Sequence, residues 1–163
     1  MEKGKVLSLI SGIITLTASF LFTLFTYSIA DNTHYVSGLL GINRVIHMMY
    51  APYTIFHILS IIVLLIFLFS GVLQILGFKY RSFTFLGSVL PLFFSIIILL
   101  GVFGLISVQY LGALYILGSD QPIIDGILPL HISIINPNDS LGVYLLLGSS
   151  VIAIISSLIK REG

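Results

Sequence analysis

With 58% apolar and 8% charged residues among 163, the chain has far too little charge for a water-soluble globular domain, in which roughly a quarter of residues are charged. A net charge of +1 excludes the dense basic surface that a nucleic-acid partner requires. The absence of cysteine excludes disulfides, thiolate catalysis, zinc–cysteine sites and iron–sulfur ligation. The expected class is therefore an all-α membrane protein, a bundle of four transmembrane helices forming one polytopic domain over residues 1–163, with room for a little extracellular β-structure in its two outer loops.

After a short charged start, residues 6–30 are uncharged and predict the first span. The run is longer than the ~7–15 residues of a signal-peptide core, so it is expected to be retained although Ser28-Ile29-Ala30 has the small-x-small pattern of a cleavage site. Ser8, Ser11, Gly12, Thr15, Ser19 and Thr23 recur at three- and four-residue spacing, which places them on one face where another helix can approach closely. Residues 31–52 form the first outer loop, apolar for a connection, with Tyr35-Val36 and residues 45–50 read as short strands or a surface helix.

The second span, residues 53–78, begins behind Pro52 and is closed by Lys79 and Arg81. At 100° per residue, His57, Ser60, Gly71 and Gln74 fall within an arc of about 100°, the predicted inward face. Residues 79–82 make a tight inner turn, and residues 83–108 predict the third span, with Gly87, Ser88, Pro91 and Ser95 on one side. Pro91 lacks an N–H, so the carbonyl near residue 87 is expected to take another partner. The second outer loop, residues 109–140, is rich in turn residues, notably Asn136-Pro137-Asn138-Asp139, and His131-Ile132-Ser133-Ile134 alternates as a half-buried strand does. Asn138-Asp139-Ser140 matches a glycosylation sequon but abuts the next helix. Residues 141–159 predict the fourth span, with Gly142, Ser149, Ala153 and Ser156 as its small-residue face.

If four helices alternate, Lys3, Lys5, Lys79, Arg81, Lys160 and Arg161 share one side and Arg44 stands alone on the other, so the positive-inside bias predicts an integral cell-membrane protein with both termini cytoplasmic. The candidate outer-side interaction residues are then Arg44, His47, His57, Asp125 and His131. No two histidines have a recognised metal-ligand spacing, so ordinary packing is the favoured role over a metal or haem site, and no cofactor is called for. Arg44 reads first as an ion pair between the outer loops and second as an anion site. No catalytic constellation is present, and no charge lies in the middle of a predicted span, where ion-coupled transporters keep one.

Three local features carry a resemblance: Gly38-Leu39-Leu40 in the first outer loop, Arg44 ahead of the second span, and Leu141-Gly142-Val143-Tyr144-Leu145 opening the fourth. With the loop layout they resemble the claudin-like tetraspan group, although Leu40 stands where that group has Trp and its paired loop cysteines are absent. The resemblance implies a small outer sheet packed on a left-handed four-helix bundle, with lateral self-assembly or partner binding. Small-residue helix faces, apolar outer loops and the lack of charge within the predicted spans make the expected function a non-enzymatic membrane scaffold or accessory subunit whose partners are lipids and copies of itself or another membrane protein. The alternatives are a small channel or transporter along the His57, Ser60 and Gln74 face, and a redox-complex subunit carrying haem through His57.

Overall fold

The computed structural model describes residues 2–29, 32–38, 55–106, 118–119 and 129–159. Four long helices dominate: α1 (Lys3–Phe20), α2 (Ile55–Leu76), α3 (Arg81–Val102) and α4 (Leu141–Leu158). Three strands, β1 (Phe25–Ile29), β2 (Asn32–Val36) and the two-residue β3 (Gly118–Ser119), form an antiparallel sheet in the order β1-β2-β3. The helices form a ring in which each packs on its sequence neighbours and α4 closes onto α1. Among the described residues α3 and α4 are long and apolar enough to cross a membrane, with mean hydropathies of 2.5 and 2.1.

Side-chain bonds show how the ends are matched. The Ser156 hydroxyl of α4 donates to the Gly4 carbonyl of α1 at 2.6 Å, and the Ser8 hydroxyl of α1 reaches the last turn of α2 and the first turn of α3. The start of α1, the 77–80 turn and the end of α4 therefore occupy one end of the bundle, with Lys3, Lys5, Lys79 and Arg81 on it. The sheet and the 129–140 segment occupy the other end, where Phe22 bridges to Leu130 and Phe25 to Asp139.

The interior is held by a polar network touching all four helices. Pro91 cannot donate to the Gly87 carbonyl. Gln74 Nε2 donates to that carbonyl instead, at 2.9 Å. Gln74 Oε1 accepts from the Thr15 hydroxyl at 2.9 Å, and Thr15 Oγ1 lies 2.8 Å from Ser149 Oγ. The Gln74 backbone carbonyl is left open because α2 tightens at its end, the Phe78 N–H bonding to Ile75. Ser8 donates to it at 2.5 Å, so at the 2.8 Å contact between Ser8 and Thr84 the proton must come from Thr84. Gln74 is fully buried, and its amide is satisfied at both atoms.

Close approach makes these bonds possible. A Cβ at Gly87 would stand 2.6 Å from the Ser70 carbonyl, and one at Gly12 would stand 2.5 Å from Ile75 Cγ1 and 2.8 Å from the Gly71 carbonyl. The buried residues of α1 are Gly4, Ser8, Ser11, Gly12, Thr15, Ala18 and Ser19, without one large apolar side chain. Many large ones on the other helices point outward, Leu65, Phe69, Leu86, Phe93 and Ile155 all being exposed, while Val63, Phe67, Ile98, Val143 and Leu146 form a small apolar cluster inside the bundle.

Several boundaries differ from the sequence expectation. The first helix stops at Phe20 rather than near residue 30, because residues 22–29 are rich in aromatic and β-branched side chains and the sheet end takes their backbone groups. There the Thr23 N–H bonds to Leu130 and the Leu24 N–H to Val36. The third helix starts at Arg81 and ends at Val102 instead of residue 108, turning at Gly104, whose φ of 70° favours glycine. His131-Ile132-Ser133-Ile134 is not a strand, since the N–H of Ile134 bonds to a carboxylate instead of a ladder. The expected strand or surface helix at residues 45–50 lies outside the described residues.

Removing the amide in Gln74→Leu strands the Gly87 carbonyl and takes away the Thr15 hydroxyl's amide acceptor, and is expected to lower stability by about 1–2 kcal/mol in denaturant titrations. Gly87→Val forces α2 and α3 apart and is expected to cost about 1–3 kcal/mol in the same titration.

Candidate functional site

The richest polar chemistry outside the helix interior lies at the sheet end. Residues 134–139 fold into a tight loop around the Asp139 carboxylate, which is fully buried. Asp139 Oδ1 accepts from the Ile134 N–H at 2.7 Å, and Oδ2 from the N–H groups of Ile135 at 2.9 Å and Asn136 at 3.0 Å and from the Tyr144 hydroxyl at 2.8 Å. The Asn-Pro-Asn-Asp stretch supplies the turn, because Asn138 N–H bonds to Asn136 Oδ1 at 3.0 Å and Asp139 N–H bonds back to the Asn136 carbonyl. Asp139 also stands just ahead of α4, where a helix start favours negative charge, and the Leu141 N–H is taken by the Ile132 carbonyl at 2.8 Å. Burial pushes the Asp139 carboxyl upward, but the bonds from Ile134, Tyr144, Asn136 and Ile135 outweigh it and hold the pKa below its ordinary 3.8.

A second cluster joins the end of α1 to the start of α4. Thr23 Oγ1 lies 2.7 Å from Ser140 Oγ and 2.9 Å from His131 Nδ1, and the Tyr35 ring meets His131 edge-on at 5.8 Å. Burial lowers the His131 pKa from 6.5, against the opposing pull of the Asp139 carboxylate and a backbone bond at Pro137. Across the strands Tyr27 stacks on His34 at 4.9 Å.

Of the residues singled out from sequence, Arg44, His47 and Asp125 lie outside the described residues. His57 and Ser60 are in α2, with no description of their side chains. His131 is placed with Thr23 and Tyr35, close to Asp139. The packing residues Ser8, Gly12, Thr15, Gly71, Gln74, Ser149, Ala153 and Ser156 are all buried between helices. Sequence reasoning missed the Asp139–Tyr144 pair and the Thr23–Ser140 contact. The signal was present, since an Asp ending an Asn-Pro-Asn turn directly before a helix commonly binds local N–H groups.

The outward consequence is apolar. By fixing the N–H groups of Ile134 and Ile135, the carboxylate holds a loop whose Ile132, Ile134 and Ile135 are 45%, 51% and 70% exposed. Among the described residues no three His, Asp or Glu side chains converge on a point. Comparison with protein-family models, curated proteins and solved structures finds no match.

Both pKa shifts have the same sign: the folded chain gives up these protons more readily than the unfolded one. Their stabilisation is therefore complete above pH 6.5 and is lost in two stages, from His131 as pH falls through 6.5 toward its lowered folded value, then from Asp139 below 3.8. Asp139→Asn is expected to cost about 2–3 kcal/mol and erase the lower stage, while His131→Ala erases the upper one, as read from unfolding midpoints between about pH 3 and pH 7.

Proposed function

We propose that the chain is a four-span integral protein of the cell membrane that acts without catalysis, as a scaffold or accessory subunit binding copies of itself or a larger membrane complex through its outer loop. The observation that carries this reading is the inverted distribution of side chains. Hydroxyls, glycines and one amide line the contacts between helices beside a small apolar cluster of Val63, Phe67, Ile98, Val143 and Leu146, while many large Leu, Ile and Phe side chains cover the outside. In water that arrangement forfeits much of the hydrophobic driving force; in lipid it is the expected solution, because helices associate through close packing and interhelical hydrogen bonds. Many interior hydroxyls bond to their own helix, as Ser11 does to Ser8, Ser19 to Thr15, Ser95 to Leu92 and Ser150 to Leu146, so they need no water.

Orientation follows from charge. Lys3, Lys5, Lys79 and Arg81 sit at the turn end, and in sequence Lys160 and Arg161 follow the end of α4, so that end and both termini are assigned to the cytoplasm. The sheet end, with its exposed isoleucines, then faces outward. A claudin-like organisation, in which the outer sheet and loops make lateral contacts, is part of this proposal.

With no native cysteine, single-cysteine labelling tests the topology. In intact cells, a membrane-impermeant maleimide is expected to label Ile135→Cys and to reach Ser82→Cys only after lysis; the reverse pattern sinks the orientation. For the partner surface, Ile134→Glu with Ile135→Glu is expected to weaken self-association or retention of the co-purifying complex by more than about tenfold with the unfolding midpoint nearly unchanged. Undiminished assembly in native-gel or cross-linking experiments removes the outer loop from the interface.

A further inference from the structure

We propose that the groove between the first turn of α3 and the last turn of α4 seats one anionic phospholipid of the cytoplasmic leaflet, an assignment that rests on the membrane reading above. The groove has a volume of about 400 Å³ and is lined by Arg81, Ser82, Phe85, Leu86, Ser157 and Leu158.

Its chemistry is ordered along the helix as a phospholipid is ordered along its length. Arg81 and Ser82 open α3, and both are exposed. Phe85 and Leu86 lie one turn on, about 6 Å deeper, and with Leu158 of the facing helix they make an apolar wall. Tyr80, the residue before α3, makes no side-chain cap, and while the Phe83 N–H bonds to the Tyr80 carbonyl at 3.0 Å, the N–H groups of Arg81 and Ser82 stay open beside the guanidinium. Guanidinium, open helix N-terminus and Ser82 hydroxyl suit a phosphate. Ser157 has committed its proton to the Ile154 carbonyl at 2.6 Å and adds only an acceptor. None of the six lining residues is acidic, and among the described residues the ion pair formed is Lys5 with Glu2, so Arg81 has no carboxylate partner among them.

The same end of the bundle supplies an internal control. A groove of about 350 Å³ between α1 and α2 is lined by Leu9, Ile75, Leu76, Phe78 and Lys79. It also has one cation and apolar walls, but it lies at the end of α2, where the helix dipole repels an anion, and it offers no hydroxyl. The anion preference therefore belongs to the α3–α4 groove.

Partitioning is measured first: recovery in the aqueous fraction without detergent removes the membrane reading and this seat together. For the membrane-embedded protein, native mass spectrometry of delipidated samples titrated with phosphatidylglycerol or phosphatidylcholine tests the seat alone. The expected result is one retained phosphatidylglycerol, preferred over phosphatidylcholine. Retention is expected to fall about fivefold in Arg81→Gln and to change less than about twofold in Lys79→Gln. Leu158→Trp, which fills the groove without altering charge, is expected to match Arg81→Gln. Equal losses in Arg81→Gln and Lys79→Gln, or equal retention of the two lipids, overturns the seat in favour of diffuse surface attraction. Displacement of the bound lipid by millimolar inorganic phosphate overturns the commitment to a lipid.

Discussion

A proline in the middle of α3 leaves one carbonyl without its helical partner, and the Gln74 amide of the neighbouring helix fills that vacancy at 2.9 Å. Much of the bundle is arranged around this bond. For the amide to reach Gly87, α2 and α3 must lie so close that no side chain fits at that position, and the crossing of α1 over α2 at Gly12 and Gly71 is equally tight. Once Gln74 is fixed, its remaining acceptors bring Thr15 and Ser8 of α1 into place, and through them Ser149 of α4 and Thr84 of α3. Single bonds of this kind between helices contribute only about 0.6–2 kcal/mol, so their weight lies in register: they select one rotation and one height for each helix among many apolar packings of similar energy.

The network also explains how so many polar groups are accommodated inside so apolar a chain. Under the membrane reading proposed above, Leu and Ile are as comfortable in hydrocarbon as against one another, so they carry little information about which helix faces belong together. Glycine and the hydroxyl residues carry that information, because glycine permits contact and a buried hydroxyl must find an acceptor. With both atoms of the Gln74 amide occupied, the polar face of α2 serves as packing surface along this stretch.

At the other end the same rule produces a rigid cap. A buried carboxylate is costly unless it is well bonded, and Asp139 receives three backbone N–H groups and the Tyr144 hydroxyl. It thereby organises an exposed apolar loop and anchors the start of α4, while Thr23, Ser140 and His131 tie that start to the end of α1.

Length, composition and periodicity suffice to place apolar helices, a tight basic turn, small-residue faces and a proline-released carbonyl near residue 87, because each depends on local covalent geometry and on side-chain spacing of 3.6 residues. The end of α1 was not legible: an uncharged aromatic run suits a strand as well as a helix, and only the partners that take the N–H groups of Thr23 and Leu24 decide between them. His131-Ile132-Ser133-Ile134 failed as a strand for the same reason, its alternation being real but its backbone donors claimed by Asp139. The occupant of the Gly87 carbonyl, the seat of Asp139 and the groove beside Arg81 are equally products of tertiary structure. They depend on which atoms from distant parts of the chain meet, and hydrogen-bond satisfaction in a crowded interior is settled only when the helices have chosen their neighbours.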